Sequence, residues 1–175
     1  MTFSEINKHI IPMNEFSLKW RFTEEEYDIL PETDLNELKP LNKVGAEFIN
    51  DYLSSRQIHS EIPFKKGLFR NLDRAKILNE NEEDITKWLY ESEIPFDKEV
   101  YLSWDNETGM ITKWEYIVKY WDSLYYSASD DLTIFDQNLE WIMLFFHEDE
   151  IYFGTNNEYI SKNEFEDNDF CYSIK

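Results

Sequence analysis

The sequence predicts an α+β fold, in which a mainly antiparallel sheet of four to five strands in the C-terminal half packs against N-terminal and central helices. In the first half, apolar residues recur at the spacing of helices, and in the second half the period changes to that of strands. Connections between the later apolar runs are short, whereas a parallel crossover needs a dozen or more residues. A length of 175 residues suits one domain over 1–175, with 1–15 and 156–175 as peripheral extensions.

Capping and breaking signals divide the first 40 residues. Thr23 followed by Glu26 fits a capping box and predicts a short helix, which Pro31 ends. Thr33 then begins a further turn that ends at Pro40.

The strongest amphipathic pattern predicts a helix over residues 41–55. Its apolar residues recur at helical spacing and include Leu41, Val44, Phe48 and Tyr52. Gly45 and Ala46 are small, so we expect another element to approach the helix closely there.

Residues 55–84 are polar and irregular. They contain Phe64 and Phe69, so the segment is interpreted as a packed loop with a short helix. Residues 82–91 then carry an apolar helical stripe, with Asn81 as its cap.

The second half begins with a strand over Val100–Trp104, followed by a turn at 105–109. Thr112 and Glu115 predict a second capping box, which opens a helix over about 113–122. Four further strands are predicted, at Leu124–Ala128, Leu132–Asp136, Trp141–His147 and Ile151–Gly154. The third of these is apolar on both faces, which predicts a central strand covered by helix on at least one side.

Composition excludes several classes of protein. The chain has 17 Lys and Arg against 37 Asp and Glu, a net charge of −20, which argues against direct nucleic-acid binding and against anionic membranes. An aromatic content of 17% argues against disorder, and the single Cys171 cannot form a disulfide within the chain. The N-terminal residues lack the pattern of a secretory signal, and no apolar run is long enough for a membrane span, so we expect a cytoplasmic protein.

Catalytic and metal-binding motifs are missing. With four glycines, the chain contains neither G-x-G-x-x-G nor G-x-x-x-x-G-K-[ST], and it also lacks G-x-S-x-G and H-E-x-x-H. The run His147–Glu150 offers possible metal ligands, but neighbouring side chains on a strand point to opposite faces. We therefore expect no metal, no cofactor and no marked catalytic residue.

Acidic and aromatic residues together predict a non-enzymatic binding protein with a basic protein partner. Carboxylates on turns would attract such a partner, and tyrosines would anchor it. The candidate contact residues are Tyr125, Tyr126, Asp130, Asp131, Glu148, Asp149, Glu150, Tyr152 and Tyr159.

Two alternatives stay open at this point. Trp104, Trp114 and Trp121 could line a pocket with Asp130 and Asp131, as in a small ligand-binding protein or an enzyme. A DNA mimic would need an elongated row of acids, whereas this chain shows separate acidic clusters.

Several aromatic motifs resemble those of an uncharacterised bacterial family of small, acidic, Trp-rich proteins, a domain of unknown function. The motifs are Lys19-Trp20-Arg21-Phe22, Leu35-x-x-Leu38-Lys39-Pro40-Leu41, and Trp114…Tyr120-Trp121…Leu124 followed by Asp130-Asp131. The resemblance covers most of residues 16–154 and implies an α+β fold and a bacterial origin, but no activity. The size, acidity and aromatic content are also similar to those of bacterial immunity proteins, which cover the basic active sites of toxic nucleases.

Overall fold

The computed structural model describes residues 1–27, 29–78 and 80–158. Its helices are α1 (Trp20–Thr23), α2 (Glu32–Leu35), α3 (Lys43–Ser55), α4 (Glu82–Tyr90) and α5 (Trp114–Leu124), with 3-10 helices at Phe3–His9 and Met13–Glu15. Its strands are β1 (Lys39–Pro40), β2 (Asn71–Lys76), β3 (Glu99–Ser103), β4 (Gly109–Lys113), β5 (Leu132–Phe135), β6 (Trp141–Phe146) and β7 (Glu150–Thr155).

All seven strands form one antiparallel sheet in the order β1-β4-β3-β5-β6-β7-β2. The α+β class is therefore confirmed, but the sheet is larger than the four to five strands predicted. Five strands come from the C-terminal half, and the two edge strands, β1 and β2, come from the N-terminal half.

Two apolar cores lie on opposite faces of the sheet. In β6, Trp141, Met143 and Phe145 belong to the first core, under α4 and α5, and the alternate residues belong to the second core, under α3 and the first 3-10 helix. All six residues of β6 are buried. The predicted apolar strand is thus an interior strand covered on both faces, as the absence of alternation indicated.

Asn42 caps the N-terminus of helix α3, and its side-chain oxygen accepts a hydrogen bond from the Gly45 amide at 3.0 Å. The predicted close approach of other elements to α3 is confirmed at both of its small residues, Gly45 and Ala46. A Cβ on Gly45 would lie 3.0 Å from His9 Cβ, and a Cβ on Gly109 would lie 3.3 Å from Ala46 Cα. The first 3-10 helix and β4 therefore pack directly on α3.

Several local predictions are wrong. Thr23 is the last residue of α1, where its hydroxyl donates to Lys19 O at 3.0 Å, so it caps no following helix. Thr112 lies inside β4 and donates to Glu37 O at 3.1 Å. Residues 124–128 form no strand, because the chain turns there with Ala128 at a φ of 64°.

The segment 55–84 is packed, as predicted, with Phe64 and Phe69 buried in the second core. Between the end of α3 and the start of α4, the described part of this segment contains strand β2 and not the predicted short helix. Asn81 precedes α4, but its side chain bonds back to Leu78 N and Lys76 O instead of capping the helix. Near the N-terminus, Ile6 is buried in the second core.

Candidate functional site

A groove of about 680 Å³ opens on the second-core face of the sheet. Its floor consists of Ser103 (β3), Thr133 (β5), and Leu144 and Phe146 (β6). The end of α3 and residues 57–63 form its walls. Trp104 and Asp131 also line it, immediately after β3 and just before β5. We call this space the groove.

Strand register brings the two hydroxyls of the floor together. Ser103 and Thr133 are paired residues of β3 and β5, and each lies two residues from an aromatic residue of the second core, Tyr101 or Phe135. Paired side chains on one face of an antiparallel ladder have their Cβ atoms about 4.5–5.5 Å apart. The sheet therefore places two small polar side chains side by side in an otherwise apolar floor.

His59 links the wall of the groove to its floor. Its Nδ1 lies 2.8 Å from Pro63 O and its Nε2 lies 2.9 Å from Thr133 Oγ1. Because a backbone carbonyl can only accept, Nδ1 carries the hydrogen and the Thr133 hydroxyl donates to Nε2. Burial lowers the pKa of His59 below its ordinary value, against the opposing effects of the Pro63 hydrogen bond and the charge of Asp131. The ring is therefore neutral near pH 7.

This hydrogen-bond chain determines what the floor offers to a ligand. The proton of Thr133 is directed to His59, which leaves the lone pairs of Oγ1 as acceptors. Ser103 is 3% exposed, and its Oγ has no hydrogen-bond partner within the described part of the chain. A buried hydroxyl without a partner costs about 1–3 kcal/mol, and such an atom in a native protein calls for an explanation.

Asp131 places a carboxylate beside the floor. Its Oδ1 accepts from His147 Nδ1 at 2.8 Å and from the His147 amide at 3.2 Å. Both contacts use Oδ1, so Oδ2 has no hydrogen-bond partner among the residues described. About half of the Asp131 side chain is exposed. The carboxylate can therefore meet a ligand that enters from solvent.

Asp130, its neighbour, has a different environment. It is buried, and both of its oxygens bond to the Arg21 guanidinium, with Nη2 lying 3.1 Å from Oδ1. Asp130 Oδ2 also accepts from Tyr126 N at 2.9 Å, and Arg21 Nη1 donates to Leu124 O at 3.2 Å. Asp130 thus holds α1 against the turn that follows α5.

The predicted partner-binding residues are split between the surface and the interior. Tyr126, Asp131 and Glu148 are exposed, and Asp149 and Glu150 are half-buried. Tyr125, Asp130 and Tyr152 are buried, and Tyr159 lies outside the described residues.

Two hydrogen bonds hold the buried tyrosines. The Tyr125 hydroxyl donates to Phe146 O at 2.7 Å, and burial raises the pKa of Tyr125 to about 12. The Tyr152 hydroxyl donates to Glu150, which also pairs with Arg74 at 3.7 Å.

The three predicted pocket tryptophans do not share one cavity in the described structure. Trp114 and Trp121 are buried in the first core, on the opposite face of the sheet from the groove floor. Trp121 Nε1 donates to Thr86 Oγ1 at 3.0 Å. Trp104 is half-buried, lines the groove, and donates from Nε1 to Leu124 O at 3.1 Å.

Within residues 1–27, 29–78 and 80–158, no three His, Cys, Asp or Glu side chains are grouped so that they could hold a metal ion. The helices of these ranges are also too short or too polar to cross a membrane. Cys171 lies outside the described ranges.

Comparison with known proteins identifies a family. The family model described as protein of unknown function (DUF2947) matches residues 10–154. The chain belongs to the DUF2947 family. No curated protein and no solved structure matches it.

The predicted resemblance to an uncharacterised family is thus confirmed, and the matched range contains all the described residues that line the groove. Bacterial origin and likeness to immunity proteins stay predictions.

Of the described residues that line the groove, the sequence predicted Trp104 and Asp131 as site residues, but not His59, Ser103 or Thr133. The pairing of β3 with β5 would have revealed the two hydroxyls, because it places positions 103 and 133 opposite each other. The DUF2947 groove is therefore formed by long-range contacts and not by a local motif.

Proposed function

We propose that this DUF2947 protein binds a small molecule in the groove. The observation that carries the proposal is the buried, unpartnered Ser103 Oγ at the floor, beside the Thr133–His59 hydrogen bond. A ligand that hydrogen-bonds to Ser103 would satisfy this hydroxyl.

The surroundings of Ser103 support a binding site. Ligand pockets of about 300–1,000 Å³ are mostly apolar, with a few convergent polar groups that orient the ligand. The groove has a volume of about 680 Å³ and combines Leu53, Ile58, Leu144 and Phe146 with the polar floor. Its volume lies within this range, and its lining combines apolar side chains with convergent polar groups.

The geometry of the groove supports ligand binding more directly than it supports catalytic turnover of a ligand. A hydroxyl beside a neutral imidazole is also the pair that begins nucleophilic catalysis. Thr133, however, lies within β5, where the strand holds its hydroxyl against the His59 ring. We therefore assign His59 and Thr133 to ligand positioning.

Two neighbouring serines of α3 provide a matched test. Both are exposed, but Ser54 lines the groove and Ser55 does not. A panel of small alcohols, amides, amines and carboxylates with apolar bodies would be screened by ligand-observed NMR. We expect binding to the wild type and to Ser55→Trp, and loss of binding in Ser54→Trp, whose indole fills the groove. Failure of the whole panel to bind the wild type, or equal binding to both variants, would overturn the proposal.

The exposed ring of Tyr126 favours a second candidate function, the capture of a basic protein of the kind that an immunity protein or inhibitor covers. Tyr126 is 48% exposed and lines a hollow of about 350 Å³ with Tyr27 and three carboxylates, Glu25, Glu26 and Asp122. We call this the tyrosine hollow. Aromatic anchors surrounded by complementary charge are typical of binding hot spots.

Salt dependence and one tyrosine substitution test this second candidate. Binding partners would be captured at about 50 mM and about 300 mM salt, since surface charge attraction is screened over this range. We expect a basic protein that is retained at low salt by the wild type and by Tyr90→Ala, an exposed tyrosine outside the hollow, but not by Tyr126→Ala. Equal capture by the two variants would contradict it.

A further inference from the structure

The groove is poor in positive charge. Neither Lys nor Arg is among its described lining residues, and its histidine, His59, is neutral near pH 7 because burial lowers its pKa. An anionic ligand would therefore have no cationic partner there, in a protein whose net charge is −20. Electrostatics disfavours carboxylates and phosphates in the groove.

At the floor and at Asp131, the available hydrogen-bonding atoms are mainly acceptors. The Thr133 hydroxyl already donates its hydrogen bond to His59, and Asp131 Oδ2 is a carboxylate oxygen without a hydrogen-bond partner in the described structure. Ser103 Oγ can donate or accept. A ligand group with several N–H donors suits this set better than a group that only accepts.

Apolar side chains also line the groove, together with the polar Asn50, Ser54, Gln57 and Ser60 of its walls. Leu53, Ile58 and Pro63 line its walls, and Leu144 and Phe146 lie in its floor beside the two hydroxyls. A ligand that fills this space needs a hydrophobic body of moderate size, since charged groups are costly to remove from water against such surfaces.

We propose that the ligand of the groove is a primary ammonium compound with an apolar body. Its ammonium group, with three donors and one positive charge, pairs with Asp131 and bonds to the hydroxyl of Thr133 or Ser103, and its apolar part packs on Leu144 and Phe146. This inference rests on the proposed small-molecule function and specifies its ligand class.

Three molecules of nearly identical shape provide the test. 2-Phenylethylamine, 2-phenylethanol and phenylacetate differ in charge and hydrogen-bonding capacity at the same end, and their affinities would be measured by isothermal titration calorimetry. We expect the amine to bind about tenfold more tightly than the alcohol, the size of effect typical of a charge-assisted hydrogen bond. Phenylacetate should bind more weakly than both.

Two variants locate the charge effect. Asp131→Asn should weaken amine binding about tenfold and leave the alcohol unchanged, whereas the control Glu83→Gln, an exposed carboxylate of α4, should change neither. Because Asp131 is partly exposed, its substitution is expected to leave the fold intact, which thermal melting would verify.

Nα-acetyl-lysine N-methylamide, as a fourth probe, distinguishes the two sources of an ammonium group. Tighter binding than phenylethylamine would assign the groove to a lysine side chain of a protein, and weaker binding would assign it to a free amine. Both results support the ammonium proposal.

Other outcomes overturn the inference. If the alcohol or the acid binds as tightly as the amine, or if Asp131→Asn has no effect on the amine, the ammonium assignment is wrong, although the groove still binds small molecules. If none of the probes binds, the ammonium assignment is also wrong, and the Ser54→Trp screen decides the broader function separately.

Discussion

Thr133 Oγ1 lies 2.9 Å from His59 Nε2, although 74 positions separate the two residues in the chain. The contact joins β5 to the segment that follows α3, and both residues line the groove. The contact therefore connects the wall of the groove to its floor, and it determines the direction in which the Thr133 hydroxyl donates.

Replacing Thr133 by Val should destabilise the protein. Val keeps the β-branched shape that suits β5 but leaves the partly buried Nε2 of His59 without its donor. We expect a loss of about 1–3 kcal/mol in the free energy of unfolding, measured by urea denaturation at pH 7.5. Thr133→Ser, which keeps the hydroxyl, should lose less. Equal stability of the Val variant and the wild type would show that the hydrogen bond contributes nothing.

Stability should fall at mildly acidic pH because of His59. Burial lowers the pKa of His59 below its ordinary value of 6.5, so the unfolded chain binds more protons than the native protein as the pH falls below that value. The contribution of neutral His59 is complete above about pH 6.5 and is lost as the pH falls through the lowered pKa. His59→Gln removes this titration.

The measurement is urea unfolding of the wild type and of His59→Gln at intervals from about pH 8 to about pH 5. We expect the wild type to lose more stability than the variant over the acidic part of this range. Nitrogen chemical shifts of the wild-type ring should also show the hydrogen on Nδ1 at neutral pH. Parallel curves for the two proteins would contradict the lowered pKa.

Breaking the Arg21–Asp130 pair should be more damaging than removing it altogether. Both side chains are more than nine-tenths buried. Asp130→Asn leaves the Arg21 charge uncompensated and should cost about 3–5 kcal/mol, whereas the double variant Arg21→Met/Asp130→Leu should recover most of this loss. Urea denaturation of the three proteins tests the expectation. If Asp130→Asn proves as stable as the wild type, Asp130 does not have the structural role assigned to it.

Long periodic segments were predictable from sequence. The helices α3, α4 and α5 and the strands β3, β5, β6 and β7 were expected near their observed positions, because each has an apolar pattern with a clear period. Strand β2 was not predicted, because in this strand an apolar residue is exposed and a charged residue is buried. Leu72 is 39% exposed, and Asp73 is 6% exposed and accepts from Trp88 Nε1 at 3.2 Å. A buried carboxylate with a distant partner gives no local signal of a strand.

Threonine was the main source of local error. Thr23 and Thr112 each precede a glutamate by three positions, yet one ends α1 and the other lies in β4. Both hydroxyls donate to backbone carbonyls, Lys19 O and Glu37 O, whereas the oxygen of a cap accepts from an amide of the following helix. The groove was unpredictable for a related reason, since Ser103 and Thr133 acquire a shared environment only when β3 pairs with β5.

Adding a side chain at Gly154 in β7 should lower the free energy of unfolding. A Cβ there would lie 2.3 Å from Cδ2 of Phe69, a buried ring of the second core, so Gly154→Ala must displace that ring. Overpacking of this kind costs about 1–3 kcal/mol, which urea denaturation would measure.

A second substitution separates this clash from the general effect of replacing a glycine. Phe69→Leu in the Gly154→Ala background removes the contacting ring atoms. The double variant should therefore lose less unfolding free energy than the two single variants lose together. Gly67→Ala is the control, because no atom lies within 4 Å of its added Cβ and only its φ of +77° is unfavourable. Strict additivity of Gly154→Ala and Phe69→Leu would show that the ring is not what excludes a side chain at position 154.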